Sequence, residues 1–347
     1  MGATVRSGKQ AMTNPVRWGV LGCARVFERR MSPGFRAASD CAELVAVASR
    51  SGEKAEDVAQ RHGAARAYGS YDALLADPDI EAVYLPLPND QHCRWTLRAL
   101  ESGKHVLCDK PGALTYADAV RMADASRSAG LRLMEGFMYR HHPQHALVAE
   151  IVRAGEIGAL VHFVGDFTYP AAYDSENIRW NPAQGGGALL DTGVYPLNAV
   201  RYFYQAEPVA VTAVSRRDPS TGVDLHTVLL MEWEDGRTAT IQGAFDQVFT
   251  TRYELRGERG AITAERAFQS GEAGVRIHVR VGDETRVETL PHVDPYGLEI
   301  AHFSACVRDP AFTLTPGEDG TAQARVVEAA LHSAREHRRV EIAEVTG

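Results

Sequence analysis

Short apolar runs alternate with helix-length amphipathic segments through the first 140 residues, and the period changes after residue 155. The runs at 16–22 (VRWGVLG), 43–48, 80–85, 105–108 and 131–138 read as buried strands. Between them, 53–62 ends at Gly63, 71–75 is closed by Asp77-Pro78, 93–102 stops at Gly103, and 115–129 is closed by Gly130. Each of these has a helical period and a helix stop signal. Strand alternating with helix predicts parallel βαβ units.

Beyond residue 155 the pattern becomes two-fold. Residues 161–169 alternate, with Val161, Phe163 and Phe167 on one side. Further strands are predicted at 209–216, 225–234, 237–246, 253–256, 275–281 and 285–290. In the run 275–281, Val275, Ile277, Val279 and Val281 alternate with Arg276, His278 and Arg280, so one face is wet. Residues 234–237 (EDGR) read as a hairpin turn. Successive strands without intervening helices predict an antiparallel sheet. Two helices, about 296–308 and 318–336, close the chain. The expected fold class is an α/β unit with a parallel sheet, residues 16–138, followed by an α+β unit with a large, mostly antiparallel open sheet, residues 139–347. The C-terminal helices could pack back on the first unit. One face of the open sheet has no evident helical cover and is expected to meet a second subunit, giving a dimer or tetramer.

A length of 347 residues suits two domains. Hydrophobic content of 45% and charged content of 24% are those of a globular protein. A net charge of −8 without a dense Lys/Arg stripe argues against nucleic-acid binding. There is no apolar stretch of about 20 residues and hence no expected membrane span. Residues 1–15 are polar, lack the apolar core of a signal peptide, and are expected to be disordered. The five cysteines (Cys23, Cys41, Cys93, Cys108, Cys306) are scattered and odd in number, which points to reduced thiols and a cytoplasmic location.

Candidate chemistry begins where the first strand ends. Gly22-Cys23-Ala24-Arg25-Val26-Phe27 occupies the place of a dinucleotide GxGxxG fingerprint, with Ala24 and Phe27 replacing the second and third glycines. Strand before and helix after make this a degraded but well-placed Rossmann signal, with helix-start N–H groups facing phosphates. The second strand ends in Ser49-Arg50 in place of a carboxylate, which predicts NADPH over NADH, because Arg accommodates a 2′-phosphate. Pro86-Leu87-Pro88 takes the chain out of the sheet at the ligand side, ahead of His92. Lys110 sits at a later strand end, its backbone restricted by Pro111. In GGGALLDTGVYPLN (185–198), Asp191 and Tyr195 are four apart, one turn on a helix face. His141, His142 and His145 lack a matching acidic ligand. One of them is expected to face the pocket and the others to be structural, without a metal.

These stretches, with GKHVLCDKP (103–111), together resemble the Gfo/Idh/MocA oxidoreductases over nearly the whole chain after residue 15. Asp109-Lys110-Pro111 stands where the family has Glu-Lys-Pro, and Tyr195 where many members carry His. GFMYRHHPQH (136–145) and LLDTGVYP (189–196) look most like the bacterial TDP-3,4-diketo-2,6-dideoxyglucose 3-ketoreductases. The resemblance implies that Gly22 to Phe27, Ser49, Arg50, Leu87, His92, Arg179 and Asp191 line NADPH. It implies that Lys110, Tyr195 and Tyr253 face a nucleotide-linked ketosugar. Lys110 and Tyr195 are expected to form one proton-delivery unit, with Lys110 lowering the phenol's pKa and Asp191 orienting the cofactor or Tyr195. A dihydrodiol dehydrogenase or other sugar or polyol oxidoreductase of the family, and a non-catalytic NAD(P)-binding module, are the alternatives.

Overall fold

The computed structural model describes residues 14–309, 311–312 and 320–347. The expected tail up to residue 13 and the start of the expected last helix (318–319) lie outside the described residues. The first sheet contains β1 (Val16–Leu21), β2 (Ala42–Ala48), β3 (Arg66–Tyr68), β4 (Ala82–Leu85), β5 (His105–Asp109) and β6 (Leu133–Gly136). Their order is β3-β2-β1-β4-β5-β6, all parallel. β4 is buried at every position, because helices cover both sheet faces. Strand order reverses between β1 and β4, which opens a crevice at the carboxyl ends of the strands.

Helices α1 (Ser32–Ala37), α2 (Gly52–His62), α3 (Tyr71–Leu75), α4 (His92–Glu101) and α5 (Tyr116–Ala129) connect these strands. Their ends are encoded locally. Ser51, Ser70 and Thr115 accept hydrogen bonds from backbone N–H groups at the starts of α2, α3 and α5. Gly63 and Gly130 end α2 and α5 in the left-handed conformation.

After α6 (Pro143–Arg153) the second sheet is built from β7 (Leu160–Thr168), β8 (Ala210–Arg217), β9 (Asp224–Glu232), β10 (Thr238–Ala244), β11 (Thr250–Gly257), β12 (Gly260–Ala264), β13 (Val275–Val281), β14 (Glu284–Leu290) and β15 (Val340–Glu341). The order is β14-β13-β12-β11-β7-β10-β9-β8-β15, and neighbouring strands pair antiparallel except β7 with β10. The pattern did not foretell β3 and β15, which are too short to show a period, or β12, which is buried at nearly every position and does not alternate. Val161 has the parity of Phe163 but is exposed, since it precedes the point where β10 begins to pair.

One face of this sheet packs on α7 (Val194–Tyr204) and the π-helical turn Leu189–Gly193 before it. The approach is close: a Cβ on Gly243 of β10 would lie 2.6 Å from the Gly193 nitrogen, so only glycine fits there. Of the last helices, α8 (Pro295–Arg308) returns to the first sheet. Its Ile300 and Phe303 pack with Trp18, whose indole N–H donates to Ser304 Oγ at 3.2 Å. The other, α9 (Gly320–Glu336), packs on α5 and β8. No helix among the described residues is long and apolar enough to cross a membrane.

The three clustered histidines serve the interior. His145 donates from Nε2 to the Ala267 carbonyl and accepts the Tyr253 hydroxyl at Nδ1. His142 caps α6, and His141 stacks on His302 with ring centroids 4.8 Å apart. None lines the crevice, so the expectation that one would do so is corrected. A buried imidazole is hard to charge: desolvation pushes His141 and His145 down to about 3 and His142 and His105 to about 4. Unfolded imidazoles titrate near 6.5, so between about pH 4 and pH 6.5 the unfolded chain binds more protons. Stability present above pH 6.5 should therefore be lost as pH falls through this window. We expect the Tm to drop by at least about 5 °C between pH 7 and pH 5. A flat Tm by calorimetry over that range would contradict the burial of these rings.

Candidate active site

A cleft of about 850 Å³ lies between the carboxyl ends of the first sheet and the helical face of the second. At one end β1 runs into Gly22, whose φ is +118°. A Cβ there would sit 2.8 Å from Leu87 Cδ2, so glycine permits both the turn and the close approach of the Pro86–Pro88 loop. Ala24, Arg25 and Val26 line the cleft, with Arg29, Arg30 and Lys54 beyond them. Such a cluster of cations at a strand-to-helix turn fits the pyrophosphate of a dinucleotide.

At the other end Lys110 follows β5. Its ammonium donates to the Asp191 carbonyl at 2.7 Å and to Asp191 Oδ1 at 3.2 Å. Asp191 Oδ2 accepts from Arg179 Nε at 2.7 Å and from the Tyr169 hydroxyl at 2.8 Å. Burial opposes ionisation of Asp191, but Lys110 and Arg179 outweigh it and hold the carboxyl well below the usual carboxylate range. The reciprocal effect is that burial and the Asp191 charge push the Tyr169 phenol up.

Tyr195 lies beside this network. Its ring centroid is 5.2 Å from Lys110 Nζ, a cation–π contact, and its hydroxyl reaches only Met138 Sδ, at 3.8 Å. Burial first, then Tyr296 and the carboxylates Asp109, Asp191 and Glu299, raise its pKa well above the usual phenol value. At neutral pH Tyr195 therefore keeps its proton, ready to donate it. The arrangement puts an ammonium and a neutral phenol side by side in the lining of the cleft. That combination can stabilise and protonate an alkoxide. Among the described residues no group of His, Cys, Asp and Glu side chains is placed to hold a metal.

Residues 16–137 match the model of the oxidoreductase family with an NAD-binding Rossmann fold, and residues 145–263 match the GFO/IDH/MocA C-terminal domain. The chain belongs to the Gfo/Idh/MocA family of oxidoreductases. It is 39% identical to a dTDP-3,4-didehydro-2,6-dideoxy-α-D-glucose 3-reductase of Saccharopolyspora spinosa, over 92% of this chain and 97% of that one. It is 33% identical to D-xylose 1-dehydrogenase (NADP(+)) 2 of Haloferax volcanii, over 94% of this chain and 99% of the other. Among solved structures it resembles a 3-ketoreductase from Actinomadura kijaniata in complex with NADP and TDP-benzene. The TM-score is 0.86 and the identity 36%, over 92% of this chain and 98% of that chain.

On this Gfo/Idh/MocA framework the expected site residues sort into several groups. Gly22, Ala24, Arg25, Val26, Leu87, Lys110, Arg179, Asp191 and Tyr195 form or border the cleft. Phe27 does not: it is fully buried against His62, so the third fingerprint position is core and the helix there is π-wound. Cys23 and Ser49 lie outside the cleft lining, with the Cys23 thiol 3.8 Å from the carbonyl of Lys54. Arg50 is exposed just past the end of β2.

His92 is buried under the cleft. Its Nδ1 lies 2.8 Å from the Pro111 carbonyl and its Nε2 2.9 Å from that of Leu87. Burial lowers its pKa, so the ring is neutral and has one N–H, which it donates to one of these two carbonyls while the ring fills the space between the Leu87 loop and the Lys110–Pro111 turn without lining the cleft. Tyr253 is also core: it is fully buried, bonds His145 and stacks on Phe163. The expected substrate-facing role of Tyr253 is replaced by a supporting one. Two electrostatic expectations are also reversed. Lys110 does not bring the Tyr195 phenol down, because burial dominates. Asp191 bonds Lys110 and not Tyr195, because the turn 189–193 is π-wound and the four-residue α spacing does not apply across it.

Four residues at the cleft floor escaped the sequence reading: Tyr84, Asp109, Tyr296 and Glu299. Tyr84 donates to Asp109 at 3.3 Å, and burial raises the Asp109 carboxyl despite Lys110 beside it. Glu299 carried a usable signal, since it sits next to Ile300 on a helix whose apolar residues are buried.

Asp191→Asn removes the charge that Lys110 and Arg179 face. It should destabilise the fold by about 2 kcal/mol at pH 7 by urea denaturation. Because the native carboxyl is depressed, its stabilisation is present above the unfolded pKa near 4 and is lost only below it. The gap between variant and wild type should thus narrow only under about pH 4. A gap that closes by pH 6 would refute the network.

Proposed function

We propose that the chain is an NADPH-dependent reductase of the C3 ketone in a TDP-linked 3,4-diketo-2,6-dideoxy sugar, acting in deoxysugar biosynthesis. The observation that carries this reading is the Lys110–Asp191–Tyr195 arrangement at the end of the cationic cleft, joined to the names of the 3-reductase relatives. NADPH, when bound, supplies the hydride. Lys110 is held by Asp191 so that its ammonium faces the developing alkoxide, and Tyr195 donates the proton it retains. Tyr169 and Arg179 keep Asp191 ionised and in place. We assign the adenosine ribose of NADPH to the end of β2, where the exposed Arg50 suits a 2′-phosphate better than a 2′-hydroxyl. A second reading, oxidation of a free aldose, is favoured by the likeness to the xylose dehydrogenase.

The test is NADPH oxidation with freshly generated TDP-3,4-diketo-2,6-dideoxyglucose, beside NADH, a simple diketone, and D-xylose with NADP⁺. We expect consumption with the nucleotide sugar, at least about 10-fold faster with NADPH than NADH. Lys110→Met and Tyr195→Phe should each lower turnover about 100-fold or more, with NADPH affinity kept within a few-fold. Turnover of xylose or the diketone alone would move the assignment to the second reading or to a dihydrodiol dehydrogenase-like activity. NADPH binding without consumption of any substrate would favour a binding module.

We further propose a homo-oligomer formed through the uncovered face of the second sheet. Val214 pairs with Val228 there, Leu230 lies beside them, and Val214 and Leu230 are exposed. Arg252 paired with Asp166 and the nearby Glu254 put both charge signs on that face, which suits a self-complementary contact. Light scattering should give at least twice the chain mass, falling to one chain in Leu230→Lys. A monomeric wild type would exclude this contact. The five free cysteines fit a reducing compartment such as the cytoplasm.

A further inference from the structure

Glu299 lies on α8, is 2% exposed, and belongs to the lining of the cleft. Neither of its carboxyl oxygens has a hydrogen-bond partner among the described residues, and Oε1 is sealed from water. The same helix buries Ile300 and Phe303 in the first core, so packing alone calls for an apolar side chain here. Burying a polar group without a partner is costly, and a bound ligand can supply the partner.

Its position says which ligand atoms it would meet. A Cβ placed on Gly136 at the end of β6 would lie 3.7 Å from Glu299 Oε1 and 3.5 Å from Asp109 Cα. Glu299 therefore faces the carboxyl ends of β5 and β6, within electrostatic reach of Asp109 and of the Tyr195 phenol. This is the end of the cleft away from Gly22, where Lys110 and Tyr195 hold the carbonyl to be reduced. The ring that gives up hydride must lie against that carbonyl, and its carboxamide must lie within the same end. Asp109 differs from Glu299 in that its two oxygens already accept from the Lys110 N–H and the Tyr84 hydroxyl, so Glu299 is the carboxyl that lacks partners.

We propose that Glu299 is a positioning residue for the nicotinamide ring, its carboxyl pairing with the carboxamide of bound NADPH, an inference that rests on the NADPH reading above. A primary amide offers one carbonyl acceptor and two N–H donors. A neutral carboxyl is its complement, with O–H donating to the amide carbonyl and C=O accepting an amide N–H. Burial, then the Asp109 charge, holds the Glu299 carboxyl well above its usual range, so it keeps the proton that this pairing needs. Two such bonds would fix the rotation of the ring, and with it the face turned toward Lys110 and Tyr195.

Calorimetric binding tests this without turnover. NADPH, NADP⁺, the 3-acetylpyridine analogue of NADP⁺, which lacks the amide N–H₂, and 2′,5′-ADP, which lacks the nicotinamide, are titrated into wild type, Glu299→Gln and Glu299→Leu. Gln keeps a donor and an acceptor, whereas Leu keeps only volume. We expect NADPH to bind Glu299→Gln within about 3-fold of wild type and Glu299→Leu about 10-fold more weakly, with 2′,5′-ADP unchanged in both. Wild type should bind the acetylpyridine analogue about 5-fold more weakly than NADP⁺, a measurement that needs no variant to fold, and Glu299→Leu should lose that distinction.

Equal NADPH affinity in Glu299→Leu, or equal affinity of wild type for NADP⁺ and the analogue, would overturn the proposal. So would a parallel loss of 2′,5′-ADP, which would mark a collapsed cleft, or a loss of NADP⁺ but not NADPH in Glu299→Gln, which would mark an ionised carboxylate facing the oxidised ring. Wild type that binds 2′,5′-ADP and NADPH while failing the Glu299 tests leaves the NADPH reading standing. Wild type that binds none of the four ligands overturns both.

Discussion

The buried carboxylate of Asp191 is the constraint on which the site depends. An ion removed from water needs charge partners and hydrogen bonds at once, and breaking such a set leaves an uncompensated charge. Asp191 takes its partners from separate parts of the chain: Lys110 from the end of β5, Tyr169 from the end of β7, and Arg179 from the loop that follows. The first sheet is thereby tied to the turn that rests on the second. The ammonium is held where the π-wound turn puts it, because the Asp191 backbone carbonyl and side chain both receive it.

Beneath that ion pair the site is supported by rings. Tyr195 packs edge-on against Phe137 and Phe167, with Tyr139 and Phe268 beyond. Tyr253 and His145 continue the stack below. The apolar surround keeps the Tyr195 phenol protonated. The same desolvation depresses the histidines and raises Asp109 and Glu299. One environment thus disfavours charge on every group at the floor, while the Asp191 set keeps its charge through specific partners. His92 adds a contact of a different kind, a neutral ring set between the loops that bear Leu87 and Lys110 with one N–H to donate to one of their carbonyls.

Much of the fold was legible in the chain. Apolar runs alternating with helical segments closed by Gly63, Gly103 and Gly130 marked the parallel units, and the Val275–Val281 alternation marked a strand with one wet face. Caps at Ser51 and Thr115 are local chemistry and lie where the pattern puts helix starts. The unforeseen strands were β3 and β15, with too few residues to carry a period, and β12, which is buried on both faces. Within the site, Gly22, Lys110, Asp191 and Tyr195 were visible because each stands at a strand end or a glycine-rich turn, where an open α/β sheet binds its ligands. Phe27 was misplaced because it takes the third position of the fingerprint with a large apolar side chain that the core absorbs, and Tyr253 because a resemblance places a residue in the chain and not on a cleft or in a core.

By itself the sequence determined the order of the elements, their caps and stops, and the presence of an ammonium, a carboxylate and a phenol near a degraded dinucleotide turn. These follow from neighbours along the chain: side-chain period, φ restriction and capping act over a few residues. Only the tertiary structure decided who faces whom. It turned Asp191 toward Lys110 through a π-wound turn, raised the Tyr195 phenol where a local argument lowered it, and brought Glu299 of the last helices to the floor beside Asp109, 190 positions earlier in the chain. Burial and charge pairing are set by distances through space, and no spacing along the chain encodes them.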